Sequence, residues 1–191
     1  DRVTIRTLKL NANENPYSPP QEVIDAIKNM LDTESNKLRL YPDPDSIELK
    51  KSFANMLNNT GGTFCNPKKL PFTLTEKNIF AGNGSDEVLS FIFYAFFNET
   101  KNVLIPEHTY SFYPVYCGFY DIPLKKIPLK NDFSVDIDTM LKEAPNSSGI
   151  ILANPNAPTA IPLSNNQLKQ MLDNYPKNMV FVVDDENKNI R

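Results

Sequence analysis

Three observations predict an α/β chain with a largely parallel sheet. From Asn78 onward, short apolar runs alternate with amphipathic stretches in strand-then-helix order. Two of those runs, "GIILA" from Gly149 and "MVFVV" from Met179, are apolar without alternation, as strands covered on both faces must be. With 191 residues and 40% hydrophobic content, the chain can also bury a real core.

The elements follow in order. In "QEVIDAIKNML", Val23, Ile24, Ile27, Met30 and Leu31 fall on one helical face, and the preceding "SPP" suits a helix start. "DSIELKKSFANML" repeats the pattern with Ile47, Leu49, Phe53, Met56 and Leu57, and the glycines of "NNTGG" end it. An extended arm, "LKLNANENPYSPP", precedes these helices, and a loop, "NNTGGTFCNPKKLPFTLTEK", follows them. Then "NIFAG" leads as a strand into the helix "SDEVLSFIFYAFF", "NVLIP" into "TYSFYPVYCGFY", "PLKKIPL" into "DIDTMLKEA", and "GIILANP" into "SNNQLKQMLDNY", before "MVFVVDD" closes the series.

Composition narrows the function. Lys plus Arg number 20 against 23 Asp plus Glu, and the net charge of −3 gives no broad attraction to nucleic acid or an anionic membrane. Cys65 and Cys117 have no CxxC or His-rich neighbourhood and are too few for a disulfide framework, so a reducing cytoplasm is expected. The longest apolar run, "FIFYAFF", is far short of the ~20 residues that span a bilayer, and the first residues do not read as a signal peptide. The single histidine, His108, is assigned neither a metal nor a catalytic role.

In an open parallel sheet, ligands collect beyond the carboxyl ends of the strands. Four stretches sit there. In "AGNGSDEVL", Gly82 and Gly84 allow a tight turn, after which Ser85 and Asp86 open a helix whose free N–H groups can receive a phosphate. Taken alone, Ser85 is better explained as an N-cap, with Asp86 and Glu87 favouring the helix dipole. In "PEHTYSFYPVY", Tyr110 is the first aromatic after a strand and can lie on a flat cofactor; Tyr113, Tyr116 and Phe119 continue at helical spacing and read as core or interface. In "ANPNAPT", Pro155 and Pro158 end the strand near Ala153 and display Asn154 and Asn156 on a stiff loop, which an Asx-turn also explains. In "MVFVVDD", Asp184 closes a buried strand, where its carboxylate is costly unless paired with a cation, whereas Asp185 and Glu186 read as a solvated end.

Together and in this order, "LNANENPY", "RLYPDPDSIELKKSFANML", "GNGSDEVL", "TYSFYPVYCG", "NPNAPT" and "VVD" resemble the fold type I aminotransferases dependent on pyridoxal 5'-phosphate (PLP), and within them the histidinol-phosphate aminotransferase group. The resemblance implies a three-layer α/β/α fold, present here as its N-terminal half. Residues 1–45 would form an arm and part of a small domain, and residues 46–191 a truncated PLP-binding large domain. It implies that Ser85 and Asp86 hold the PLP phosphate, that Tyr110 stacks on the pyridine ring, and that Asn156 hydrogen-bonds its phenolic oxygen. Asp184 would pair with the protonated ring nitrogen. Tyr41 would reach the phosphate of a neighbouring subunit in a homodimer, and Asn15 and Tyr17 would lie near the substrate. The implied reaction moves an amino group between L-histidinol phosphate and 2-oxoglutarate, in histidine biosynthesis. No metal is implied.

The departures from the family pattern are specific. Ala160 replaces the glycine usual after "NPNAPT", and "DENKNIR" replaces the "EAY" usual after "VVD". The family's Schiff-base lysine lies in a downstream "SK" motif, together with phosphate- and carboxylate-binding arginines, and the sequence contains no "SK". A fragment without turnover of its own is therefore expected. Two other expectations stand beside the first: a sister enzyme on the same scaffold (an aromatic amino acid aminotransferase or a threonine-phosphate decarboxylase), and a non-catalytic binding module.

Overall fold

The computed structural model describes residue 15 and residues 17–60, 70–97 and 100–185. The chain divides into two compact units, with the break between Asn78 and Ile79.

In the first unit, α1 (Gln21–Glu34) starts after Pro20, with Glu22 in its first turn. The apolar face predicted for it is present in spacing but buries nothing among the described residues: Val23, Ile27, Met30 and Leu31 are all exposed. An amphipathic helix buries its stripe only where another surface covers it. Helix α2 (Ile47–Thr60) buries only Ala54. The Asp43 carboxylate prepares its start by accepting the N–H groups of Ile47 at 2.8 Å and Asp45 at 3.0 Å. Those bonds, Ile47's first, hold its pKa below the ordinary value. The chain past α2 is tied back by Asn58, whose side chain accepts from Leu74 N–H at 2.8 Å and donates to the Leu74 carbonyl at 2.9 Å. The glycines expected to stop α2, most of the N-terminal arm and Cys65 lie outside the described residues.

Among the described residues, the second unit holds a four-stranded, wholly parallel sheet in the order β2-β1-β3-β4. Its elements are α3 (Gly84–Phe96), β1 (Val103–Pro106), α4 (Phe112–Phe119), β2 (Leu124–Ile127), α5 (Ile137–Glu143), β3 (Gly149–Asn154), α6 (Asn165–Asn174) and β4 (Val180–Asp185). The strands alternate between two cores. Val103, Ile105, Ile151 and Ala153 join Phe93 of α3 and Tyr113 of α4 on one face. Leu104, Ile150 and Leu152 join Met140 of α5 and Met171 of α6 on the other. Helices thus cover both faces, which is why these strands read as unbroken apolar runs. Gly149 has no room for a side chain, because a Cβ there would meet Phe97 at 2.6 Å and the Val180 carbonyl at 2.7 Å.

One predicted strand is absent. The "NIFAG" segment runs irregularly from the 3-10 turn Glu76–Asn78 into α3. A strand exists only through its ladder partner, and among the described residues this segment has none.

Candidate active site

The chain leaves β1 toward β2 on one side and leaves β3 toward β4 on the other. The carboxyl ends of β1 and β3 therefore mark the point where the strand order reverses, the place where open parallel sheets bind ligands.

Asn156 stitches the loops after these two strands together. Its Nδ2 donates to the His108 carbonyl at 2.9 Å and to Thr159 Oγ1 at 3.1 Å. Asn156 N–H donates to the Ile161 carbonyl at 3.1 Å, and Ala160 N–H to the Asn156 carbonyl at 2.7 Å, so the loop closes on itself. The Asn154–Pro155 and Ala157–Pro158 peptides are cis. Asn156 was expected to be displayed; instead it is only 1% exposed, because this closed loop folds its side chain inward. Its Oδ1 is buried and has no partner. Asn154 is structural, its Oδ1 accepting Leu163 N–H at 2.8 Å and fastening the way into α6.

At β4, Asp184 stands in register with Ala153, so it faces the side covered by α3 and α4. Its Oδ2 accepts the Tyr113 hydroxyl at 2.8 Å, and among the described residues no cation pairs with it. Asp185 points to the opposite side and is exposed, as expected of a solvated end.

Helix α3 supplies the third wall. Gly84, at φ 83°, turns the chain into it. Its cap is Asn83, so Ser85 is the second helical residue and not the N-cap; it is exposed at the helix mouth. First-turn N–H groups such as those of Ser85 and Asp86 lack intrahelical acceptors. The acidic side chains of that turn are already engaged. Glu87 accepts Asn83 N–H at 2.6 Å, and Asp86 Oδ1 accepts the Tyr110 hydroxyl at 2.9 Å and lies 3.0 Å from the Tyr116 hydroxyl. Burial, then the Asp86 bond, raises the Tyr116 pKa well above its ordinary value. Tyr110 is half-buried, edge-on to Tyr113 at 5.5 Å, and borders a cleft of about 360 Å³ with His108, Thr109 and Lys126.

Asp86 and Tyr110 are thus directly joined, and Asp184 connects to them through Tyr113. Tyr41, Tyr17 and Asn15 belong to the first unit. Tyr41 is fully exposed and Tyr17 largely so, and Asn15 Oδ1 accepts Tyr17 N–H at 3.0 Å. The hydroxyls of Tyr113 and Tyr116 were missed as functional groups. Their spacing from Tyr110 signals a buried helical face, and a buried tyrosine's polar tip needs a partner.

Comparison with known proteins agrees with this fold. The family profile for aminotransferase class I and II matches residues 5–186. A histidinol-phosphate aminotransferase of Syntrophus aciditrophicus is 43% identical over 180 residues, 93% of this chain and 45% of its own length. One of Lactococcus lactis is 41% identical over 175 residues, 92% of this chain and 43% of its own. Among solved structures, the histidinol-phosphate aminotransferase of Sinorhizobium meliloti in complex with pyridoxal-5'-phosphate superposes with a TM-score of 0.72 at 21% identity, covering 90% of this chain and 42% of that one. That of Clostridium acetobutylicum gives 0.69 at 20% identity, covering 90% and 45%. The chain therefore spans less than half the length of the relatives it matches. With the profile covering nearly all of its residues, the chain belongs to the aminotransferase class I and II family.

Proposed function

We propose that the whole protein is a PLP-dependent aminotransferase that moves an amino group between L-histidinol phosphate and 2-oxoglutarate in L-histidine biosynthesis, as a cytoplasmic homodimer. The observations that support the cofactor reading are the unpartnered Oδ1 of Asn156, just beyond β3, and the carboxylate of Asp184 near the end of the neighbouring strand β4. Asn156 Oδ1 is buried without a partner, so the group that satisfies it must donate, as a phenolic hydroxyl does. Asp184 is a half-buried carboxylate that no cation pairs with among the described residues, and a protonated ring nitrogen is one. The names of the curated relatives support the choice of substrate.

When bound, PLP supplies an electron sink for the substrate carbon that loses its proton. Each residue of this chain then has a separate task. Asp184 would pair with the protonated ring nitrogen, and Tyr110 would stand against the pyridine ring. The N–H groups of Ser85 and Asp86 receive the phosphate, where the positive end of α3 favours it. The Asp86 side chain holds Tyr110 in place, since its carboxylate is already occupied by tyrosine hydroxyls. Tyr41 completes the phosphate site of the neighbouring subunit, and Asn15 and Tyr17 approach the substrate. No lysine here stands in the "SK" motif of the family, so the 191 residues alone are proposed to lack turnover.

Kinetics of the full-length protein test the substrate. L-histidinol phosphate should give the highest kcat/KM when compared with phenylalanine and threonine phosphate. No activity with L-histidinol phosphate, alongside turnover of either of the others, would replace it with a sister reaction on the same scaffold.

A further inference from the structure

We propose that Tyr113 is a positioning residue for Asp184, fixing which carboxylate oxygen is left free to meet a ligand; the inference rests on the PLP reading of Asp184 given above. Tyr113 has no exposed surface, and its hydroxyl donates to Asp184 Oδ2 at 2.8 Å across 71 residues of sequence. Its ring cannot swing away. It packs edge-on against Tyr110 at 5.5 Å, and the Phe93 ring lies 6.3 Å off. The sheet cannot do this job alone: β4 borders the described sheet, and the residues flanking Asp184, Val183 and Asp185, are both exposed.

A carboxylate so placed keeps Oδ1 for a cation, while the Tyr113 hydroxyl holds Oδ2. The two groups act in sequence. If the hydroxyl is lost, Asp184 is less fixed, so it holds the proton of a paired ring nitrogen less firmly. Among the described residues, Asp185, next in sequence, and Tyr116 also lie within its field.

The test uses the full-length protein reconstituted with PLP labelled with nitrogen-15 in the ring. Tyr113→Phe removes one oxygen and keeps the ring. It should weaken PLP binding about tenfold and move the ring nitrogen signal toward that of unprotonated pyridine. In an Asp184→Asn background the same substitution should add no further loss. A 3-fluorotyrosine at position 113, a stronger donor of the same shape, should move the nitrogen signal the opposite way. An unchanged signal with Tyr113→Phe, or an equal loss of affinity in both backgrounds, overturns the inference while leaving the cofactor reading intact. If the unaltered full-length protein takes up no PLP, both fall together.

Discussion

Ala160 holds its backbone at φ 58°, in the left-handed region, and there donates its N–H to the Asn156 carbonyl at 2.7 Å. An L-residue with a Cβ spends about 1–2 kcal/mol in that region, so this one residue carries strain that fixes Asn156. Glycine would relieve it, at a cost of about 0.4–1 kcal/mol through the freer unfolded chain. Ala160→Gly should therefore stabilise the protein by roughly 0.5 kcal/mol, seen as a small rise in Tm by calorimetry. A clear fall in Tm would mean that the loop does not store strain there. The resemblance already marked the position, because glycine is usual after "NPNAPT". The sequence alone could not show why: nothing in "APTA" betrays a positive φ until the loop is seen to close between Asn156 and Ile161.

Elements were most legible where local pattern and burial coincide. β1, β3 and β4 read directly as apolar runs, and Asp184 as the end of one of them, because a strand covered on both faces needs no polar alternation. The "NIFAG" segment has the same composition but no ladder partner among the described residues, and composition cannot supply one. Likewise the spacing of Tyr113 and Tyr116 announces a buried helix face but is silent about the hydroxyl at its tip, whose partners lie in other elements. Helix α5 offers a test at this scale. Its cap, Asp136, accepts the Thr139 hydroxyl at 2.7 Å and the Thr139 N–H at 3.2 Å. Those bonds, the hydroxyl's first, hold its pKa below the ordinary value. A depressed folded pKa contributes stability above the unfolded value of about 3.9, lost as pH falls through the folded one. Asp136→Asn should hence lower Tm slightly at pH 7, with the gap to the parent closing below about pH 4. A gap that stays constant with pH would assign the effect to the shape of the cap and not to its charge.

For the molecule as a whole, the proposed division of labour between subunits makes a prediction that neither unit makes alone. Asn156 is buried in the second unit, whereas Tyr41 stands fully exposed in the first. Among the described residues nothing covers the Tyr41 side chain, which suits a residue that completes a neighbour's site. If Tyr41 serves the partner, then Tyr41→Ala and Asn156→Ala damage the same site from different chains. Each variant should be slow as a homodimer. In a hybrid of the two, one site would collect both lesions and the other would be intact. Refolding an equal mixture makes about half of the dimers hybrid, so activity should return to roughly a quarter of the parent's. If Tyr41 serves its own subunit instead, every site in the hybrid keeps one lesion and mixing restores nothing. The assay therefore separates a shared site from two self-contained ones, because only a shared site can turn two defective chains into a working one.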